Sequence, residues 1–497
     1  MFYNFICETI QGVLQKLYIT ELVMKKKLVL FILCLIIIGS LLVGCNNMKQ
    51  KPISSDFTNK TIASNGGLAV QYGNYIYFVN GISAQDADNT FGKVTKGAIA
   101  RLELDAQGKI VEDSTKIIIP KIAFATEKNS GLTIQDGYIY YSTPSTEKNS
   151  KGEPKVDAMW LVRSSLDGSK TEVVKKFKDF SITYKVMDGH IVYDITNEDG
   201  EKELRSISLN EKKFPDKLLA SKITSKVFVS AQDGVHSLRN YVFYTKANEK
   251  ETDYSNVVYI ANGSGSVNKA VLDKGKYSAD NLLHPDGYML SITDTLIVDN
   301  DTIKLIYNKA DRGVNTISMG TYSYDFKVST DFSFNEEQEI RYSSGTNYSK
   351  LRFLTDKYIL ASKSDKIELL TLENKTVSNR EEVMSFLPTF YSFEIVDDNL
   401  ETTYAKDNKF YRIKLFDIGE NETYTLNLGT ATLLYDQSVS TTWLDPEVIG
   451  DYLYFFNSSI ADNAYALDLG KVEPRNDKSR TPLLIGIMTY EDEIEAM

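Results

Sequence analysis

Cysteine, histidine and tryptophan are all scarce in this 497-residue chain. The three cysteines lie within the first 45 residues, so the rest of the chain has no thiol for a disulfide framework, a thiolate metal site or a nucleophile. The three histidines stand alone, without His-x-His or His-Glu-x-x-His spacing, at His190, His236 and His284. The sequence therefore predicts no metal or other cofactor, and a fold whose stability comes from packing.

Positive charge is also in deficit. The 56 Lys and Arg residues against 67 Asp and Glu residues give a formal charge of −11 and a pI near 5.1. This balance argues against a nucleic-acid partner, because neutralising phosphates requires a surplus of basic side chains. Ten prolines and a hydrophobic fraction of 42% exclude a collagen-like or disordered chain. The length predicts two or three domains, or one large repetitive array.

Long hydrophobic runs are absent except for one near the N-terminus. Residues 25–27 are lysines, residues 28–38 are uniformly apolar, and residues 39–45 read Gly-Ser-Leu-Leu-Val-Gly-Cys. A basic cluster, a short apolar run and small residues are typical of a secretory signal peptide, and the run is too short for a stable membrane-spanning helix. The alternative is an uncleaved membrane helix that ends in an ordinary buried thiol at Cys45.

The sequence Leu-Val-Gly-Cys at residues 42–45 resembles the lipobox of bacterial lipoproteins. The resemblance implies that Cys45 receives a diacylglyceryl group, that the bond before it is cut, and that acyl chains anchor the mature chain in the membrane. We therefore expect residues 24–45 to be a lipoprotein signal peptide. We also expect the protein to lie on the extracytoplasmic face of the cell membrane.

The segments on either side of the signal peptide differ from it in composition. Residues 1–23 place Glu8 and Glu21 ahead of the basic cluster, which a signal peptide does not normally do. We expect this segment to be a mis-assigned leader and Met24 to be the true start. Residues 46–64 are polar, and we expect them to form a flexible tether.

A short phrase recurs in the remainder of the chain, at intervals of 42 to 70 residues. A turn dipeptide such as Gly-Asn or Asp-Gly precedes a run rich in Tyr, Ile, Val and Phe, which predicts a hairpin turn entering a β-strand. The copies start at Gly73, Asp136, Asp188, Arg239, Asp286, Asp356, Asp398 and Gly450. Because the runs are apolar at consecutive positions, both faces of each strand are expected to be covered. No intervening stretch suits a crossover helix, so sheets must pack on sheets.

A second phrase follows many copies of the first and reads as a further strand ending in an Asp-Gly or Asn turn. It is clearest at residues 101–108 and 163–168. Four short antiparallel strands per unit of about 50 residues predict the blade of a β-propeller. The fold class is therefore all-β, with about eight four-stranded blades over residues 65–490. Seven blades are the alternative because the copy at Asp398 is poor, and residues 482–488 are the candidate strand that closes the ring.

The phrases Asp-Gly-Tyr-Ile-Tyr-Tyr and Leu-Val-Arg-Ser-Ser-Leu-Asp-Gly are best formed at residues 136–141 and 161–168. They resemble those of a β-propeller domain that bacterial lipoproteins of low-GC Gram-positive organisms carry. That domain is itself similar to the propeller of low-density-lipoprotein-receptor-type proteins. The resemblance covers most of residues 65–470. Its motif is structural, and it implies no catalytic residues.

Motifs of catalysis are missing from the sequence. There is no Gly-x-Ser-x-Gly elbow, and Gly263-Ser264-Gly265 reads as a turn. The acidic loop at residues 86–89 does not have the spacing of a calcium-binding EF-hand. His190 takes the aromatic position of a repeat and is expected to be a packing residue, as are most of the 31 tyrosines. Trp160 and Trp443 lie outside the repeated phrase and are weak candidates for ligand contact.

These observations favour a membrane-anchored, non-catalytic propeller that binds a protein or an envelope ligand through loops on one rim. The long insertions at residues 82–96 and 142–156 are the first places to look for such contacts. The alternative is an extracytoplasmic hydrolase or lyase that acts on glycans or peptides at the propeller channel, since carboxylates from different blades leave no local spacing. Carboxylates converging with a His or Arg at the channel mouth would favour this alternative.

Overall fold

The computed structural model of the chain describes a set of residues that begins at Ile62 and ends, with gaps, at Ile487. These residues are 62–81, 93–123, 131–145, 147, 149–152, 159–178, 182–229, 237–246, 257–273, 289–312, 316–436, 446–457, 463–469 and 482–487. All of them belong to one of two compact units, residues 52–497. The expected leader, signal peptide and most of the tether lie outside the described residues.

The described residues form 34 strands in eight antiparallel sheets, arranged as the blades of a β-propeller. Blade 1 consists of β2 (Ala69–Tyr72), β3 (Tyr75–Val79), β4 (Ile99–Glu103) and β5 (Lys116–Ile119). Blade 2 consists of β6 (Leu132–Gln135), β7 (Tyr138–Pro144), β8 (Met159–Ser165) and β9 (Thr171–Phe177), with β1 (Ile62–Gly67) paired to β6. Blade 3 consists of β10 (Tyr184–Met187), β11 (His190–Thr196), β12 (Lys202–Ser208) and β13 (Asp216–Ser221). Blade 4 consists of β14 (Ile223–Phe228), β15 (Tyr241–Lys246), β16 (Val257–Asn262) and β17 (Asn268–Asp273).

The second half of the ring repeats this plan with longer strands. Blade 5 consists of β18 (Met289–Ile297), β19 (Thr302–Arg312), β20 (Thr316–Lys327) and β21 (Ile340–Arg341). Blade 6 consists of β22 (Lys350–Phe353), β23 (Tyr358–Lys363), β24 (Lys366–Glu373) and β25 (Thr376–Met384). Blade 7 consists of β26 (Thr389–Val396), β27 (Asn399–Lys406), β28 (Lys409–Gly419) and β29 (Thr423–Leu426), with β30 (Thr432–Tyr435) also paired to β28. Blade 8 consists of β31 (Glu447–Ile449), β32 (Tyr452–Asn457), β33 (Asn463–Asp468) and β34 (Leu483–Leu484).

The prediction of eight four-stranded blades is confirmed, and the alternative of seven is wrong. The poor copy at Asp398 opens a genuine second strand, β27, in which Leu400 replaces the aromatic residue and is buried in the core. A leucine fills the core at that position, but the repeat is harder to recognise in the sequence because the tyrosine is missing.

The copy at Asp286 is the one that is assigned wrongly. It leads into β18, the first strand of blade 5, instead of the second. The hairpin turn of this blade lies at Asp299, whose carboxylate accepts from the backbone N–H of Asp301 at 2.8 Å and from the hydroxyl of Thr302 at 3.1 Å. These hydrogen bonds hold the pKa of Asp299 below its usual value. The true turn lacks both glycine and tyrosine, which is why the sequence pattern missed it.

Buried apolar clusters join every pair of neighbouring blades, so sheets cover sheets as predicted. One cluster spans blades 8, 1 and 2, and six others each join one further pair. Ten of the twelve largest fully buried side chains are tyrosines, which explains the abundance of this residue. Several of their hydroxyls bond a buried polar neighbour, as Tyr342 does with Ser323 at 2.8 Å.

The ring closes between blades 8 and 1 without an exchanged strand. The predicted closing segment forms β34, which pairs with β33 of its own blade, and Ile485 after it is buried against blade 1. The amide of Asn80 then donates to the carbonyl of Ile487 at 3.0 Å and accepts from its N–H at 2.9 Å. One asparagine side chain thus satisfies both polar groups of the terminal backbone.

Each blade begins with its innermost strand, and first strands of neighbouring blades contact one another in four places: β2 with β6, β2 with β31, β14 with β18 and β26 with β31. Because the strands are antiparallel, turns from first to second and from third to fourth strands lie on one face of the ring, which we call the turn face. Connections from second to third strands, and those between blades, lie on the opposite face, which we call the loop face.

The strand β1 departs from the regular plan. It pairs Ile62 with Gln135 and Gly67 with Leu132, so it covers the inner edge of β6, and it also contacts β2 and β10. Among the described first strands, β6 alone has a second strand partner. Gln135 precedes the first turn of blade 2, so Ile62 lies at the turn face and the chain enters the ring from there.

Candidate functional site

A cavity of about 820 Å³ lies among the inner strands of blades 5, 6 and 7. Its lining consists of residues 294–299, Ile306, residues 350–354, Phe393, Ile395, Leu400 and Tyr424. Most of these residues end a first strand or border a turn, which places the cavity at the turn face. We call it the blade 5–7 cavity.

The cavity is bounded by two strand edges and one strand face. Residues 294–299 and 350–354 line it consecutively, whereas β26 contributes only alternate residues, Phe393 and Ile395. Side chains of a strand alternate between faces, so a consecutive lining means that the backbone edge itself borders the cavity. The edges belong to β18 and β22, whose only described strand partners are β19 and β23.

Four charged side chains border this space: Asp294, Asp299, Lys350 and Arg352. Burial raises the pKa of the Asp294 carboxyl, although the N–H of Thr295, which donates to it at 2.8 Å, and the charges of Lys350 and Arg352 oppose the shift. Burial lowers the pKa of the Arg352 guanidinium, with Asp294 opposing. The pKa of the acid is raised and the pKa of the base is lowered, which are the directions expected when burial partly excludes water from both charges.

Arg352 differs from several other arginines of the propeller. Its guanidinium lies 4.3 Å from the ring centre of Phe393 but makes no hydrogen bond or ion pair with a described residue. In contrast, Arg163 and Arg205 pair with carboxylates, and Arg412 donates to a backbone carbonyl. Lys350 likewise has no ion-pair partner among the described residues. A half-buried cation over an aromatic ring, with unused donors, is suited to an anionic ligand.

The rest of the lining is apolar and accessible. Ile395 is 66% exposed, Val298 is 44% exposed and Leu296 is 37% exposed, and all three line the cavity. They account for three of the ten most exposed large hydrophobic side chains of the described residues. Scattered apolar residues need no explanation, but their concentration beside free cations indicates a binding surface.

The carboxyl groups of the cavity bear on the catalytic alternative. Cleavage of a glycosidic bond requires two carboxyl groups. Asp294 and Asp299 are the carboxyl groups in the lining, and the oxygens of Asp299 already build the hairpin turn. No histidine lines the cavity. The arrangement is suited to holding a ligand that combines negative charge with apolar groups.

A second shifted carboxyl lies on the inner strand of blade 8. The N–H of Ala69 donates to Glu447 Oε2 at 3.4 Å, and a Cβ added to Gly67 would lie 2.0 Å from the same oxygen. Burial raises the pKa of Glu447 to about 7, against the opposing effects of the Ala69 N–H and the charge of Lys185. Burial also lowers the pKa of Lys185. Because Glu447 lies against the backbone of β1 and β2, it is part of the packing that holds β1.

The predicted site residues are not brought together. Trp160 lies on β8, packs against the core of blades 8, 1 and 2, and has the Lys176 ammonium 4.5 Å from its ring centre. Trp443 and Cys45 lie outside the described residues, as do most of the two long insertions. Ligand contact by either tryptophan and lipidation of Cys45 therefore stay predictions.

His190 is a packing residue, as expected. Its Nδ1 lies 2.9 Å from the carbonyl oxygen of Asp188, to which Nδ1–H can donate, and its Cβ lies 3.0 Å from where a Cβ of Gly263 would be. Gly263 begins the turn between β16 and β17, which confirms that Gly263-Ser264-Gly265 is no nucleophile elbow. His236, His284 and the acidic loop at residues 86–89 lie outside the described residues.

The described part of the chain offers neither a cluster of metal ligands nor a membrane-spanning helix. It contains no group of three or more His, Cys, Asp and Glu side chains that could hold a metal ion. Within the same residues, no helix has the length and apolar character needed to span a bilayer.

Comparison with known proteins adds only distant similarities. No protein-family model and no curated protein matches the chain. A prolyl endopeptidase structure is 12% identical with a TM-score of 0.40, over 69% of this chain and 48% of that one. The propeller domain of the trilobed protease from Pyrococcus furiosus is 8% identical with a TM-score of 0.34, over 69% of this chain and 95% of that one. Oligopeptidase B from Trypanosoma brucei is 11% identical with a TM-score of 0.38, over 73% of this chain and 50% of that one.

The chain thus spans about half the length of the two peptidases to which it is similar. The expected relationships to bacterial lipoproteins and to low-density-lipoprotein-receptor-type propellers stay predictions. What the structure establishes is an all-β, eight-bladed β-propeller that has a cavity among the inner strands of blades 5 to 7.

Proposed function

We propose that this protein is a lipid-anchored, extracytoplasmic β-propeller whose function is to bind a ligand in the blade 5–7 cavity. The observation that carries this proposal is that Lys350 and Arg352 form no salt bridge with a described residue beside an accessible apolar lining, with the Asp294 carboxylate acting on both through its charge. A protein with a surplus of acidic residues has ample carboxylates to form salt bridges with two cations, so cations without one at a cavity favour a role in binding.

Anchoring is supported by the sequence of residues 24–45. The lysine cluster, short apolar run and Leu-Val-Gly-Cys ending support lipidation of Cys45.

Photo-crosslinking in intact cells tests the binding site. A p-benzoyl-phenylalanine at Ile395, inside the cavity, is expected to give a covalent adduct when the full chain is expressed in its native host. The control is the same residue at Leu428, which is 46% exposed on blade 7 but does not line the cavity. The adduct at Ile395 should weaken when Arg352 is changed to Gln. Equal adducts at both positions, or none at Ile395, would contradict the proposal.

The anchor is tested separately by palmitate labelling. Wild-type protein is expected to incorporate the label and to fractionate with membranes, whereas Cys45→Ala should lose both properties. Labelling that persists in Cys45→Ala would remove the lipid anchor from the account.

The catalytic alternative has its own outcome in the same system. If the crosslinked ligand is recovered cleaved from wild-type cells but intact from cells with Asp294→Asn, the protein is a hydrolase or lyase. Recovery of the same intact ligand from both supports binding without chemistry.

A further inference from the structure

The geometry points to an extended peptide bearing a carboxylate as the ligand of the blade 5–7 cavity, bound as an added strand on the inner edge of β18. This inference rests on the proposed binding function and names the chemical class of the ligand. The strand edges, the charges and the apolar side chains of the cavity all support it.

The inner edge of β18 has no strand partner. Residues 294–297 pair with β19 on one side, and within the described structure their backbone makes one further hydrogen bond, from the N–H of Thr295 to the carboxylate of Asp294. The neighbouring first strand in blade 6, β22, does not pair with β18. A free edge with consecutive residues facing a cavity offers N–H and C=O groups to an extended chain.

The propeller already contains one example of this pairing. In blade 2 the corresponding inner edge, on β6, is covered by β1. Both edges belong to first strands of the same ring, so the inner side has room for an added strand in at least one blade. The difference is that β1 comes from the chain itself, whereas no described segment occupies the edge of β18.

A bulge separates the two halves of β18. The register with β19 shifts between Ile292 and Asp294, and Asp294 is the first residue of this strand that lines the cavity. Bulges turn a strand locally and are frequent beside binding sites. Here the bulge coincides with the point at which β18 begins to line the cavity.

The side chains around this edge indicate what the peptide carries. Leu296 on β18 and Val298 just after it are two residues apart, and Ile395 lies on the facing strand, so apolar side chains of the ligand would have contacts. Arg352 is planar and can hold a carboxylate with two parallel hydrogen bonds, with Lys350 adding charge. A peptide with an Asp or Glu flanked by apolar residues combines these features.

Panning a library of random heptapeptides on the purified mature propeller tests this inference. We expect enrichment of sequences with one acidic residue next to apolar residues. Binding of the enriched peptides, measured by fluorescence anisotropy, should weaken at least tenfold in the double variant Lys350→Gln/Arg352→Gln. It should be unchanged in Lys375→Gln, an exposed lysine of blade 6 outside the cavity. Thermal unfolding of each variant shows whether the fold is kept.

A second measurement needs no protein variant. N-methylation of alternate residues removes backbone donors from the peptide while leaving its side chains in place. One of the two alternating methylation patterns is expected to weaken binding to the wild-type protein at least tenfold, because a strand directs alternate N–H groups to its partner. The other pattern should have a smaller effect.

Three results would overturn the inference. They are no enrichment from the library, enrichment without acidic residues, and equal binding of peptides with both methylation patterns. If any of these occurs while the adduct at Ile395 still forms in cells, the binding function stands and the ligand is not an extended peptide. If the adduct is also missing, both proposals are wrong.

Discussion

The inner edges of blade 2 and of blades 5 and 6 meet different surroundings within one ring. In blade 2 the edge is covered by β1, and the largest apolar cluster continues through blades 8, 1 and 2. In blades 5 and 6 the edges border a cavity with free cations and exposed apolar side chains.

This difference separates a part of the ring that is held together by packing from a part that is accessible to a ligand. Blades 8, 1 and 2, which we call the closed side, contain the first and last described strands, and polar groups there hold them, as Asn80 holds Ile487. Blades 5 to 7, which we call the open side, have cations at the cavity that form no salt bridge with a described residue. Stability is therefore expected to depend on the closed side, and ligand binding on the open side.

Two phenylalanine truncations should show the largest contrast. Phe456 is fully buried in the cluster of blades 8, 1 and 2, so Phe456→Ala should lower the free energy of unfolding by about 3–5 kcal/mol. Phe393 is half-buried at the cavity, so Phe393→Ala should cost only about 1 kcal/mol. Urea unfolding of both variants measures the difference. Equal losses would contradict the division into a closed and an open side.

Removing the amide that closes the ring should have the next largest effect. Asn80 is 2% exposed, and Asn80→Ala leaves the N–H and C=O of Ile487 without their side-chain partner. We expect a loss of about 3 kcal/mol, since unsatisfied buried groups carry the full cost of desolvation. The control Asn427→Ala removes an exposed hydrogen bond to Asp417 and should cost less than about 1 kcal/mol. A harmless Asn80→Ala would mean that the ring closes by apolar packing alone.

The carboxyl that lies against β1 should make stability depend on pH. Burial raises the pKa of Glu447 to about 7 from 4.5. Between these values the folded state keeps a proton that the unfolded state has released, so stability should fall as pH rises from about 4.5 to 7 and then level off. The loss should be about 1–3 kcal/mol, and Glu447→Gln should abolish it.

The measurement for this effect is the difference in unfolding free energy between wild type and Glu447→Gln at pH 5 and at pH 8. Taking the difference removes contributions from titrating groups that do not interact with Glu447. The wild type should lose stability relative to the variant as pH rises. A difference that is constant with pH, or that changes in the opposite direction, would show that Glu447 is ionised in the folded protein.

The smallest effect is expected from a single methyl group beside that carboxyl. Gly67→Ala would place a Cβ 2.0 Å from Glu447 Oε2 and should cost about 1–2 kcal/mol by displacing β1. Gly419→Ala is the control, because its nearest contact would be at 3.8 Å. Thermal unfolding of both variants compares them. If the two behave alike, β1 is held more loosely than its contacts indicate.

The architecture was readable from the sequence because it is repeated. Tyrosine-rich runs after turn dipeptides gave the strands of most blades, and apolar residues at consecutive positions predicted sheet-on-sheet packing. Exceptions arose where one residue type replaced another with the same role. Leu400 fills a tyrosine position, and Asp299 builds a turn by its side chain where other blades use glycine.

The cavity was not readable in this way. Asp294, Arg352 and Ile395 come from three blades, and no spacing in the sequence joins them. Each residue alone is ordinary for a strand, and only the fold shows that Arg352 lacks a partner. The contact of Asn80 with Ile487 spans 407 residues and was equally invisible. The long insertions at residues 82–96 and 142–156 connect second to third strands, so they did not indicate a cavity on the turn face.

Amide hydrogen exchange of the ligand-free propeller, read at single residues, tests the central comparison most directly. Ile134 and Gln135 on β6 have strand partners on both sides, and their amides should exchange slowly. On β18, residues 294–297 should alternate, with amides directed to β19 protected and those directed to the cavity exchanging much faster. Uniform protection of residues 294–297, equal to that of Ile134 and Gln135, would mean that the inner edge of blade 5 is closed and that the binding site proposed there does not exist.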